Sequence, residues 1–535
     1  MAIGDGSSMG DQGRGFAPVG RLTLQEQVYQ ALRTMLMVGG VVPGQGLTVR
    51  ELAESMGTSP MPVREAMRRL IAERALELLP NGTVRVRLMS DSQRTESREI
   101  RALLEGLAVA RATQEITAEE IAEAERLDVE MNRALAERRL DDYIVLNQRF
   151  HFLCYRAARS EMLAEVIESL WVQNGPFLKL YAGEILKGRH GPGYDDLYQN
   201  HTVMLQAFRR RDSEAAAAAL RNDLGRTSQT RESDEPEEMR LAFDALRRRS
   251  GPGNSSMLAP GPLPAGIEAA LPAGGARPLP AAAQHRQTLA EQVYRSIRQS
   301  LITGDVVPGQ VVTVRSFAER LGTSPMPVRE ALRRLVAERA FEPLPNGSLR
   351  VRLMTEEQRQ HAREIRALLE GVAVARAAER ITSEEMEEAK RLNEALRQAV
   401  RRSDIKAASL ANQEFHFQIY RAARSEILYE IIEQLWVQNG PFLMLHLIDL
   451  MSHAPAARQR DLLEAHDLLL AALARRDAAA AAEALVTELM GTAVTRESRA
   501  TELRALLPGE AAARNRPATG HAPGTAHPAG RSGRR

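Results

Sequence analysis

One cysteine, Cys154, stands in a chain of 535 residues. That excludes an intramolecular disulfide and a cysteine-rich zinc module, and it suits a reducing compartment. Aromatic residues reach only 4%, while Ala, Leu, Arg and Glu abound, so helices are expected rather than extensive sheets. No stretch approaches the roughly 18 apolar residues of a membrane span, and the Gly/Ser-rich start has no apolar signal-like run. The expectation is a cytoplasmic protein with no membrane partner. Two segments lack lysine altogether. Residues 21–89 carry nine Arg against six Glu, and residues 286–354 carry eleven Arg against six acids, although the whole chain is only +2. Arginine is the side chain suited to bidentate contacts with phosphate and guanine, so the excess sits where nucleic acid could be met.

What the chain has in plenty is itself. A shift of 265 residues lays Thr58-Ser59-Pro60-Met61-Pro62-Val63-Arg64-Glu65-Ala66 on residues 323–331, and Trp171-Val172-Gln173-Asn174-Gly175-Pro176-Phe177 on residues 436–442. Phe150-His151-Phe152 likewise returns as Phe415-His416-Phe417. Solenoid repeats run to about 20–50 residues, so this longer period marks a duplicated multi-domain unit. Composition divides each copy. Residues 1–20 read as a flexible tail, 21–90 as a small α/β domain, 95–230 as an all-helical domain and 231–249 as an acidic segment. A Pro/Gly/Ala linker occupies 250–285, the second small domain 286–355, the second helical domain 360–505 and a disordered tail 506–535. Thr117, ahead of Glu119 and Glu120, is the expected N-cap of one of the helices.

Within the first small domain, Val49 to Met56 reads as a short helix closed by Gly57. Ser59 suits the N-cap of the next helix, and Pro60 its first position, where a missing N–H costs nothing. Helix, tight turn and a second helix displaying Met61, Arg64 and Arg68 is helix-turn-helix anatomy. In a major groove the N-terminal half of that second helix faces base edges, and Arg64 is the natural reader of guanine. Pro80-Asn81-Gly82 followed by an extended run over 83–88 predicts a hairpin, a wing with Gly82 at its tip. The second copy offers Ser324, Met326, Arg329, Arg333 and Gly347 at the same places.

These motifs resemble the winged helix-turn-helix of the GntR family of bacterial transcription regulators. The resemblance implies DNA contacts from Arg50 and Arg64, and from Arg315 and Arg329 in the second copy. An arginine common just after the turn is replaced here by Pro60 and Pro325. The helical segments over about 95–227 and 360–492 resemble the FCD-type effector domain of the FadR branch. That resemblance implies a divalent metal (Zn, Mn, Fe or Ni) beside a small organic-acid effector. Its ligand positions fall on Asn147, His151, His201 and Asp223, and on Asn412, His416, His466 and Glu488. Each set is two histidines, one carboxylate and an amide, a donor set that suits those metals. Asn174 and Asn439 are candidate polar groups of the effector pocket. Arg156, Arg159, Arg421 and Arg424 are considered for an effector carboxylate, against a place on a solvated helix face. For the Trp-Val-Gln-Asn-Gly-Pro-Phe motif a helix break around a packed Trp is expected.

The fold class expected is mainly α: two winged helix-turn-helix domains, each followed by an all-α bundle. The function expected is sequence-specific binding of double-stranded operator DNA under a small-molecule effector, with the two copies forming an intramolecular pseudo-dimer. A homodimer of chains is a further possible partner. A linker of about 36 residues spans roughly 30–36 Å, comparable with the roughly 34 Å between half-sites one helical turn apart. Two other classes stand beside this one. A metal-dependent enzyme would use His151, His201 and Asp223, and its turnover would depend on His151. A nonspecific DNA-architectural protein would lose affinity for all sequences alike on Arg64→Ala.

Overall fold

The computed structural model describes residues 23–187, 192–226, 289–452 and 456–490. The tails expected over 1–20 and 506–535, the acidic segment 231–249 and the linker 250–285 lie outside these residues.

Each copy starts with a three-helix head. Helix α1 (Leu24–Met37) opens at Thr23, whose hydroxyl accepts from Glu26 N–H at 3.2 Å, and buries Val28, Tyr29, Leu32 and Leu36 along one face. Strand β1 (Gly46–Leu47) leads to α2 (Val49–Ser55) and α3 (Pro60–Ala72). Helix α3 buries Val63, Ala66, Met67 and Leu70 against α1, which leaves the opposite face outward. Strands β2 (Leu76–Leu78) and β3 (Val84–Val86) complete an antiparallel sheet in the order β1-β3-β2, with Gly46 opposite Arg85 and Leu76 opposite Val86. The expected hairpin is present, but its last strand is shorter than the 83–88 run. Gly82 sits at φ +84° and Asn81 Oδ1 accepts from Thr83 N–H at 3.0 Å, which shapes the tip of the hairpin. Strand β1 was not foreseen, because two residues carry no readable period.

A helical bundle follows: α4 (Asp91–Glu115), α5 (Ala118–Ala136), α6 (Leu140–Arg156), α7 (Glu161–Lys187), α8 (Pro192–Arg210) and α9 (Ser213–Arg226). Capping boxes at Ser90/Gln93 and Thr117/Glu120 open α4 and α5, the latter on the residue expected. Helix α7 runs unbroken through Gly175 and Pro176, contrary to the expected break. Packing on both flanks carries it past the proline. Trp171 is buried in the bundle, and Gly175 lies against the end of α1, where an added Cβ would fall 2.3 Å from Leu36 O.

The second copy repeats this order as α10 (Leu289–Ile302), β4 (Val311–Val312), α11 (Val314–Arg320), α12 (Pro325–Ala337), β5 (Phe341–Pro343) and β6 (Leu349–Val351). Its bundle is α13 (Glu356–Arg380), α14 (Ser383–Arg401), α15 (Ile405–Ala422), α16 (Glu426–Ser452), α17 (Ala456–Ala474) and α18 (Ala478–Met490). One apolar core runs through the first head and both bundles, while the second head has its own core reaching Val437 of α16.

The copies pack reciprocally. Gln93 donates to Glu426 at 2.8 Å and Gln358 to Glu161 at 3.3 Å; Arg111 pairs with Glu364 at 2.6 Å and Arg376 with Glu99 at 2.6 Å. Each of these pairs maps onto the other under the 265-residue shift, the signature of an isologous, two-fold contact made within one chain.

Candidate functional site

The outward faces of α3 and α12 carry the residues expected to meet DNA. Ser59 and Ser324 occupy the N-caps in extended conformation, but neither side chain makes a capping hydrogen bond. Met61, Arg64 and Arg68 are exposed, as are Met326, Arg329 and Arg333. Arg50 and Arg315, at the start of α2 and α11, are each paired with a glutamate one turn on, Glu54 at 2.9 Å and Glu319 at 2.8 Å. Gly82 and Gly347 stand at the wing tips with positive φ. The two recognition helices lie side by side, joined by Arg333 Nη1 to Glu65 Oε2 at 3.3 Å. In this arrangement the two helices lie closer together than the helical-turn spacing considered from the linker.

In the first bundle α6, α8 and α9 bring His151, His201 and Asp223 together. The two Nε2 atoms are 3.3 Å apart, and the Asp223 carboxylate lies 3.5 Å from His151 and 3.9 Å from His201. The second bundle matches it: Glu488 Oε1 is 3.0 Å from His416 Nε2 and 3.3 Å from His466 Nε2. Both histidine pairs are buried. Burial, then neighbouring His201 and Arg101, holds His151 well below the usual imidazole range, and burial lowers His466 as well. At His151 and His466 burial favours the neutral imidazole, the form that donates a lone pair to a metal. Burial alone would raise the Glu488 carboxyl, but His416 and His466 outweigh it and hold it well below the carboxylate range.

The far ring nitrogens are held too. His151 Nδ1 meets Tyr155 OH at 3.1 Å, and Tyr155 donates to Glu105. Glu105 also accepts from Trp171 Nε1 at 2.9 Å and from Arg101 Nε at 2.7 Å. Tyr420, Glu370, Trp436 and Arg366 repeat this chain behind His416. His201 Nδ1 faces Asp128 at 3.7 Å, whereas His466 Nδ1 meets Asn393 Oδ1 at 3.2 Å. Sequence reasoning missed this outer ring. The signal available was the twice-written Arg-x-x-x-Glu of residues 101–105 and 366–370, an i,i+4 pair on one helix.

A divalent metal fits this donor set. Asn412 Oδ1 and Glu488 Oε2 are buried without a hydrogen-bond partner among the described residues, and both belong to the second set. Asn147, one turn before His151, is buried. Asn174 is committed elsewhere: its amide donates to Leu170 O at 2.7 Å and to Ser97 at 2.8 Å. Asn439 donates to Leu435 O at 2.7 Å. Arg159 and Arg424 lie exposed just past the ends of α6 and α15, paired with Glu120 at 2.8 Å and Glu385 at 2.8 Å. Arg156 and Arg421 are exposed as well.

Helix α7 joins bundle to head. Trp171 faces Glu105, two residues on Gln173 Nε2 donates to Glu73 O at 3.1 Å at the end of α3, and Gly175 seats α1. Heads also reach the opposite bundle. Arg74 and Arg87 converge on Glu430, Arg87 at 3.6 Å, while Arg339 and Arg352 converge on Glu165, Arg352 at 3.2 Å. Arg74 and Arg339 each hold φ +60°, where glycine would be cheaper, directly after the recognition helices. A cavity of about 50 Å³ lies at this joint, between Glu73, Arg74, Glu165, Glu338, Arg339 and Glu430.

Comparison with known proteins bears on both sites. Residues 24–86 and 289–351 match the family described as "Bacterial regulatory proteins, gntR family", and residues 96–226 and 361–489 match "FCD domain". The HTH-type transcriptional regulator McbR of Escherichia coli K12 is 36% identical over 190 residues, 36% of this chain and 84% of that protein. A probable D-xylose utilization operon transcriptional repressor of Paenarthrobacter nicotinovorans is 32% identical over 189 residues, 35% of this chain and 83% of that protein. A solved structure, "E. coli McbR/YncC", is 32% identical, covers 40% of this chain and 98% of its own length, and superposes with a TM-score of 0.36.

Proposed function

The chain belongs to the GntR family of bacterial regulatory proteins, as a DNA-binding transcription regulator with two heads and two FCD domains, and we propose that it reads one operator with both heads at once. The observation that carries this reading is the reciprocal packing of the two copies, which sets α3 and α12 side by side, each with exposed arginines. Arg64 and Arg329 take guanine edges by their paired N–H groups. Arg50, Arg68, Arg315 and Arg333 take phosphates, and the wing tips at Gly82 and Gly347 lie along the sugar-phosphate edge. Ser59 and Ser324, whose hydroxyls cap no helix N–H, donate to phosphate.

The histidine clusters form the control site. His151, His201 and Asp223, with Asn147, would hold a divalent metal, and His416, His466 and Glu488, with Asn412, a second one. A bound divalent ion would supply a fixed positive charge that one carboxylate per site does not cancel, which suits a small organic acid as effector. The relatives named above are regulators.

Coupling runs along α7 and α16. A ligand that pulls on His151 moves Tyr155, Glu105 and Trp171, and the same helix carries Gln173 and Gly175 against the head. The ion pairs of Glu165 and Glu430 with the opposite heads tie both readers to both bundles. Effector binding shifts the angle between α3 and α12 to the extent that the effector prefers one arrangement.

In vitro selection from random duplex DNA, at one stated salt concentration, tests the reading. The expected result is two related elements in inverted orientation at one fixed, short spacing. A single element, or no enrichment with or without zinc, contradicts it.

A further inference from the structure

Each recognition helix begins its exposed strip with a residue that water does not favour. Met61 is 62% exposed and Met326 68% exposed, one position after the proline that opens α3 and α12. Their neighbours Val63 and Val328 are fully buried, so packing fixes the backbone while the thioether stays outside. Helical side chains lean toward the N-terminus, so each methionine extends past the helix tip rather than along its flank. Arg64 and Arg68 follow three and seven residues later on the same face, as Arg329 and Arg333 do in the second copy. The strip is apolar at the tip and cationic behind it.

The tip is also poor in donors. Pro60 and Pro62 have no N–H, and so it is with Pro325 and Pro327. A base edge read by hydrogen bonds gains little from such a tip. The major groove offers one apolar group, the C5-methyl of thymine. We propose that Met61 and Met326 are specificity-determining residues, each packing on a thymine C5-methyl, so that a T·A pair is selected at the equivalent position of the two operator halves. The proposal rests on the operator reading above and names what its helix tips recognise. The two-fold relation of the copies sets the two thymines on opposite strands, equidistant from the operator centre.

Single replacement of each operator thymine by deoxyuridine tests this, because it removes the methyl and leaves base pairing and groove hydrogen bonding intact. With the full chain, one thymine per half is expected to lose about fourfold in affinity, the factor for one methyl-sized apolar contact, and the pair about fifteenfold. The Met61→Ala, Met326→Ala double variant is expected to bind thymine and deoxyuridine operators alike. Tight, specific binding indifferent to every deoxyuridine overturns the methyl contact and leaves the regulator reading standing. So does a double variant that keeps the full thymine preference, or one equally weakened on both operators with the preference intact. Absence of any enriched operator removes both readings. The wild-type arm needs no variant, so a folding defect in the double variant cannot rescue the proposal.

Discussion

Arg64 and Arg329 are the residues on which sequence discrimination depends most. Both are exposed on the N-terminal half of a recognition helix. Arg64→Ala is predicted to cost about 1–3 kcal/mol of discrimination at one base pair per site, whereas Arg50→Ala should weaken all sequences alike and lower the salt dependence of binding. Quantitative shift assays on a panel of single-base operator variants, at two salt concentrations, separate the two. The buried histidines make a second residue-scale prediction. His151 and His466 have folded pKa values below their unfolded value near 6.5. The unfolded chain therefore takes up more protons as pH falls, and the metal-free protein should lose stability below about pH 6.5 and regain it above. Thermal unfolding between pH 5.5 and 8 checks this; a His151→Gln, His466→Gln variant should show a flatter dependence. At this scale much of the site could be read from the chain, because His151 and His201 recur as His416 and His466 at an unbroken offset. Asp128 could not, since α5 brings it to His201 only when the bundle folds, whereas Tyr155 lies one turn after His151 on α6 and Glu105 carried its signal in the Arg-x-x-x-Glu of α4.

At the scale of single elements, α7 and α16 do two things at once, which explains why Trp-Val-Gln-Asn-Gly-Pro-Phe reads as a break and folds as a helix. Proline and glycine are local signals, and here tertiary packing on both sides of the helix overrides them. The two seats differ in tightness. An added Cβ on Gly175 would meet Leu36 O at 2.3 Å, and one on Gly440 would meet Ile302 Cα at 3.0 Å. Gly175→Ala should therefore destabilise the first head by about 1–3 kcal/mol, the usual cost of overpacking, and Gly440→Ala by less. Hydrogen exchange of α1 against α10 distinguishes them. The bundles differ as well, since Asp128 stands behind His201 where Asn393 stands behind His466. A carboxylate behind a ligating histidine raises its basicity, and such partners change metal affinity about 10–100-fold. Zinc titration should resolve two unequal sites, with Asp128→Asn weakening the first and Asn393→Asp strengthening the second. The wing was legible as a hairpin from Asn81-Gly82 and Asn346-Gly347, while strands β1 and β4, two residues each, left no trace in the pattern.

Over the whole molecule, the two copies meet through a reciprocal interface made within one chain. The pairs that join the copies occur in reciprocal sets, Arg74 and Arg87 on Glu430 against Arg339 and Arg352 on Glu165. Each joint sets two arginines on one glutamate, so Glu165→Gln with Glu430→Gln should loosen the heads from the bundles. Operator affinity would then respond less to the effector while each head still binds its half. The repeat made the two-copy organisation readable from the chain, but not how the copies meet. The linker's reach allowed half-sites a full helical turn apart, whereas the contact of Arg333 with Glu65 sets the readers closer, and no local pattern encodes that.

The central claim is that one chain supplies both readers of one operator. Native mass measurement of the complex between the 59.1 kDa protein and the selected operator tests it directly. One chain per duplex, with both halves of the operator required for full affinity, is the predicted result. Two chains on each duplex, with the second head of each chain dispensable, would contradict it.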